Sequence, residues 1–122
     1  LSYPGIEQAP PTLLLAAGLL LGSNAAVMEE LEYRGVLLGF ALRVMGNGAA
    51  VFWVSNVLIA TLFAALHLPN VDMPLLKFGQ IFVLALALGV LARRWGVWAA
   101  IACHVALNVT ASVGEFVFPL PG

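Results

Sequence analysis

The chain has 122 residues, of which 62% are hydrophobic and only 9% charged, with a formal net charge of -1. Soluble domains carry roughly 25% charged residues, and a mean hydropathy of +1.03 excludes a disordered chain, which needs low hydrophobicity and high charge. Five Lys plus Arg also fall short of the basic footprint of a nucleic-acid binder, which leaves an integral membrane protein or a membrane-embedded part of one.

Uncharged stretches run from Gln8 to Met28, Val44 to Leu66, Phe78 to Ala92 and Trp95 to Gly114. A span needs about 20 mainly apolar residues, and in lipid the backbone must satisfy its own hydrogen bonds, so each stretch predicts a helix. Pro10-Pro11 opens a first helix from about Thr12 to Gly22, and Ser23-Asn24 is read as a break or an N-cap. A second helix follows from about Ala25 to Met45, ended by the turn residues Gly46-Asn47-Gly48. The third runs from about Ala50 to His67, where Pro69 stops it, and a short polar loop holds Asn70, Asp72, Pro74 and Lys77. The fourth covers about Leu75 to Ala92, with Arg93, Arg94 and Gly96 at the turn. The fifth covers about Val97 to Val113, with Pro119 and Pro121 closing the chain. The expected fold is an all-α, polytopic transmembrane bundle of about five helices. Residues 1–24 read as a flanking span, 25–118 as a helical core and 119–122 as a tail.

Gly18xxxGly22 and Gly35xxxGly39 have the small-residue spacing that lets helices approach closely. Trp53, Trp95 and Trp98 lie near predicted helix ends, where indoles anchor at the interface. If the spans alternate, Arg43, Arg93 and Arg94 share one side, which the excess of Lys and Arg assigns to the cytoplasm. Asp72, Lys77 and Glu115 fall on the other.

The polar residues within the spans are few. Glu29, Glu30, Glu32 and Arg34 sit between two apolar runs, either at an interface or at membrane depth facing a cavity. Glu30 and Arg34 are four apart and share a helical face. Glu29 lies about 100° around the helix and can address another target, as a general base or acid. Phe63 and His67 are one turn apart, so the ring can pack under the imidazole. His104 and Asn108 form another such pair, suited either to an interhelical hydrogen bond or to orienting an imidazole and stabilising an oxyanion. Cys103 is the sole cysteine, so there is no internal disulfide framework.

Glu29-Glu30-Leu-Glu-Tyr-Arg34, then Phe63 to His67, then His104 to Asn108 resemble the EExxxR, FxxxH and HxxxN motifs of the CPBP family of CAAX proteases and bacteriocin-processing enzymes. The resemblance covers about Ala25 to Val113. It implies an intramembrane endopeptidase that acts on a membrane-associated peptide or prenylated protein, in a multi-pass integral protein of the bacterial inner membrane. It also implies Glu29 as the base that activates water, His67 as its positioning partner, and His104 and Asn108 as oxyanion donors. Glu30, Arg34 and Phe63 would support them, Arg34 with a possible further role at a substrate carboxylate. No cofactor is expected on this reading. The alternative is a zinc held by Glu29, His67 and His104, with water in the fourth place. A non-catalytic membrane protein of the same fold, serving immunity, scaffolding or transport, is the rival from another functional class.

Overall fold

The computed structural model describes residues 9–69 and 73–118. Asn70, Asp72, Pro119 and Pro121, like the start of the first apolar stretch at Gln8, lie outside the described residues. Among the described residues the chain is all helical: α1 (Pro11–Glu30), a π-helical segment (Leu31–Leu38), α2 (Gly39–Met45), α3 (Ala49–Leu66), α4 (Pro74–Trp95) and α5 (Val97–Val117).

The break expected at Ser23-Asn24 does not occur. α1, the π segment and α2 form one continuous helix of 35 residues, Pro11–Met45. Ser and Asn are only moderate helix formers, each costing well under 1 kcal/mol relative to Ala. Unsatisfied backbone groups in lipid cost several kcal/mol each, so continuing the helix wins. Among the described residues the bundle therefore has four helices long and apolar enough to cross a membrane. Pro11 occupies the first turn of α1, where the missing N–H costs nothing. Gly96, at a φ of 88°, joins α4 to α5 in a single residue.

The π segment has a packing rationale. The buried residues of the long helix are Ala26, Glu30, Arg34 and Leu38, spaced by four. In a regular α-helix this spacing drifts by about 40° per step. The wider π turn offsets that drift, so all four continue to face the bundle. Such widened turns are frequent at functional sites.

The N-terminal half of the long helix packs antiparallel on α5. A Cβ built on Gly18 would lie 3.4 Å from Ser112 Oγ, and one on Gly22 would lie 3.7 Å from Asn108 Cβ, so the first glycine pair supports a close approach. α3 packs on α4 around Ala60, Phe63 and Ala85. Asn56, fully buried in α3, donates from Nδ2 to the Leu86 carbonyl at 3.1 Å. Gly89 receives it: a Cβ there would stand 1.8 Å from Asn56 Oδ1.

Arg93 donates to the Asn47 carbonyl at 3.3 Å, which places the turn after α2 and the turn after α4 at one end of the bundle. Arg43, Arg93 and Arg94 thus share that end, as alternation required. Trp53, Trp95 and Trp98 are all exposed near the same end, as interfacial anchors should be.

Candidate active site

Three helices meet at the polar motifs. Glu30 is fully buried, and its Oε1 accepts from Arg34 Nη1 at 3.0 Å and from His104 Nδ1 at 2.8 Å. Arg34 Nη2 donates to the Ala85 carbonyl of α4 at 2.9 Å. One acid therefore links the long helix to α5, and its arginine links it to α4. A buried charge pair of this kind needs both partners and added hydrogen bonds to be tolerated. Even so, Glu30 Oε2 and Arg34 Nε are buried without a hydrogen-bond partner among the described residues.

Glu29 points to the other side. Its Oε1 lies 3.8 Å from His67 Nε2, and its Oε2 lies 3.9 Å from His104 Nε2. These gaps exceed direct hydrogen bonds. Glu29 keeps 28% of its side chain exposed and His67 36%, against 0% for Glu30. The difference follows from the helix ends. α3 stops at Leu66, so His67 sits just beyond its last turn, while the long helix and α5 run on past it.

The hydrogen bonds fix both imidazole tautomers. His67 Nδ1 lies 2.7 Å from the Phe63 carbonyl oxygen. A carbonyl only accepts, so Nδ1 carries the proton and Nε2 is the free position. His104 Nδ1–H donates to the Glu30 carboxylate by the same logic. Both rings thus turn Nε2 toward the Glu29 carboxylate.

Phe63 is the packing centre of the site and is 2% exposed. Its ring lies 4.4 Å from that of His67, 5.0 Å from that of Tyr33 in an edge-on contact, and 4.9 Å beneath the Arg34 guanidinium. A smaller side chain would release the imidazole, the guanidinium and Tyr33 together. Asn108 sits one turn along α5 from His104 and donates to the Gly22 carbonyl at 2.9 Å. That bond ties α5 to the long helix, and the structure gives no contact between Asn108 and Glu29.

Sequence reasoning assigned Glu30 to Arg34 alone and did not anticipate its bond to His104. It also passed over Asn56, although an amide in the middle of the apolar Val44–Leu66 run is the kind of residue that must find a partner in a membrane. A cavity of about 430 Å³ lies between α1 and α5 and is lined by Leu14, Gly18, Ser112, Glu115 and Phe116 among others. None of the motif residues lines it, so it does not define the chemistry.

Glu29, His67 and His104 are the right donor types for a catalytic zinc. A tetrahedral zinc on one oxygen of Glu29 and both imidazoles needs the three donor atoms roughly 3.3 Å apart, whereas here the two imidazoles face different oxygens of that carboxylate, at 3.8 and 3.9 Å. Among the described residues no group of three stands ready to hold a metal ion. The trio as placed does not fit that ion.

A family model described as type II CAAX prenyl endopeptidase Rce1-like matches residues 11–110. No curated protein and no solved structure matches the chain.

Proposed function

The chain belongs to the Rce1-like family of type II CAAX prenyl endopeptidases, and from that premise we propose that it hydrolyses a peptide bond of a membrane-associated substrate with water activated by Glu29. Family and helices together make it an integral, multi-pass membrane protein. The proposed substrate is a prenylated protein or peptide presented at the bilayer. One observation carries the reading: a half-buried carboxylate faces Nε2 of two imidazoles, one just past the end of α3 and one on α5, at 3.8 and 3.9 Å.

In the proposed reaction, a water hydrogen-bonded to Glu29 and His67 bridges their gap from the side. One water O–H donates to the Glu29 carboxylate and the other to His67 Nε2, which turns a lone pair toward the substrate. The water oxygen bonds to the carbonyl carbon while Glu29 takes its proton. Negative charge gathers on the carbonyl oxygen. His104, when it carries its second proton, donates to that oxygen from Nε2, and Glu30 holds Nδ1–H in both protonation states. The Asn108 amide carries two N–H groups; one bonds Gly22, and the other joins His104 at the oxyanion. Glu29 then delivers its proton to the leaving nitrogen as the C–N bond breaks.

The test is Glu29→Gln in purified protein in lipid nanodiscs, assayed on prenylated and unprenylated CAAX peptides. Loss of a positioned general base should lower kcat by about 10²- to 10⁴-fold, with the unfolding temperature unchanged. Turnover within a few-fold of the parent protein would remove Glu29 from the reaction.

A further inference from the structure

A second cavity, of about 230 Å³, opens at the arginine-rich end of the bundle, away from Glu29; its lining includes Arg34, Gly39, Leu42, Asn47, Arg93 and Val97. We propose that it binds the phosphate headgroup of an anionic phospholipid. Charge is the first argument. Arg34 is balanced by Glu30 at 3.0 Å, but Arg93 has no ion-pair partner among the described residues. Arg43 and Arg94 lie nearby in chain and at the same end. No Asp or Glu occurs between Gly35 and Val71 or between Met73 and Gly114, so this end carries a net positive charge that a bound anion would offset.

Preorganisation is the second argument. The Arg93 guanidinium lies 4.3 Å over the Phe52 ring and donates from Nη2 to the Asn47 carbonyl. These contacts hold it at the cavity and leave further N–H donors unspent, since a guanidinium carries five. Depth in the bilayer is the third. The exposed indoles Trp53, Trp95 and Trp98 lie near this end, and indoles sit at the headgroup level. Basic pockets between spans at that level are suited to anionic headgroups. The inference does not depend on peptide hydrolysis.

The test uses purified protein in dodecyl maltoside, mixed with phosphatidylglycerol, phosphatidylcholine or inorganic phosphate. Lipid retention is read by native mass spectrometry and protection by the unfolding temperature. The parent protein should retain phosphatidylglycerol over phosphatidylcholine, and Arg93→Gln should lower that retention about fivefold. Arg94→Gln, whose guanidinium lies over Trp95 at 5.1 Å, should lower it less. Arg93→Lys should keep the selectivity, and if the Gln variant does not fold, the comparison of the two lipids on the parent protein decides. Equal retention of the two lipids by the parent protein overturns the proposal, as does Arg93→Gln that binds as the parent does. Inorganic phosphate protecting as well as phosphatidylglycerol would assign a free anion in place of a lipid. Displacement of the lipid by a peptide with a free C-terminal carboxylate, but not by its amide, would reassign the cavity to a peptide chain.

Discussion

Breaking the Glu30–Arg34 pair from one side should cost far more than removing both partners. Glu30 is 0% and Arg34 4% exposed, so losing either partner strands a charge that is almost wholly buried. Arg34→Met leaves a buried carboxylate with only His104, and Glu30→Leu leaves a buried guanidinium with only the Ala85 carbonyl. Stranding one charge of a buried pair costs about 3–5 kcal/mol, or roughly two to three and a half powers of ten in the folding equilibrium. In the double variant no charge is stranded. What remains is the unpaired His104 Nδ1–H, at about 1–3 kcal/mol. The double variant should thus be at least as stable as either single one, with a coupling energy of at least about 3 kcal/mol. Reversible unfolding in mixed dodecyl maltoside and SDS micelles, followed by circular dichroism, measures all four corners. Costs that add to within about 0.5 kcal/mol would show that the two side chains are independent and refute the reasoning.

Gly89→Ala puts a Cβ 1.8 Å from Asn56 Oδ1 and should destabilise by about 1–3 kcal/mol or more through overpacking. Adding Asn56→Ala should recover much of that loss in the same unfolding assay, and no recovery would refute the contact. Exhaustive chelation should leave peptide turnover unchanged, as expected for a base acting on water alone. Full loss of turnover, restored by zinc, would show that Glu29, His67 and His104 close around a metal after all.

The polar residues show how far sequence reached. Glu29, His67 and His104 stood out because ionisable groups are costly in lipid and few in this chain. Their mutual geometry was not legible, because it depends on three helices meeting over separations of tens of residues. Glu30 is the clearest case. Helical spacing gave it Arg34, since both lie on one helix, but its bond to His104 spans 74 residues and arises only when α5 packs antiparallel on the long helix. Asn108 differs in the same way: its motif position suggested the reacting site, while packing commits one of its N–H groups to Gly22.

By itself, the sequence determined that the chain is membrane-embedded and helical, where α3, α4 and α5 lie, and which motifs they carry. These follow from local hydropathy and from Pro and Gly punctuation, which act within a few residues. Only the tertiary structure decided that Ser23-Asn24 lies within one unbroken helix, that a π segment keeps Ala26, Glu30, Arg34 and Leu38 facing inward, and that Gly89 must be bare to admit Asn56. Each of those outcomes weighs a small local preference against backbone satisfaction in lipid or close packing with a distant helix, and the larger energy lies in the long-range term.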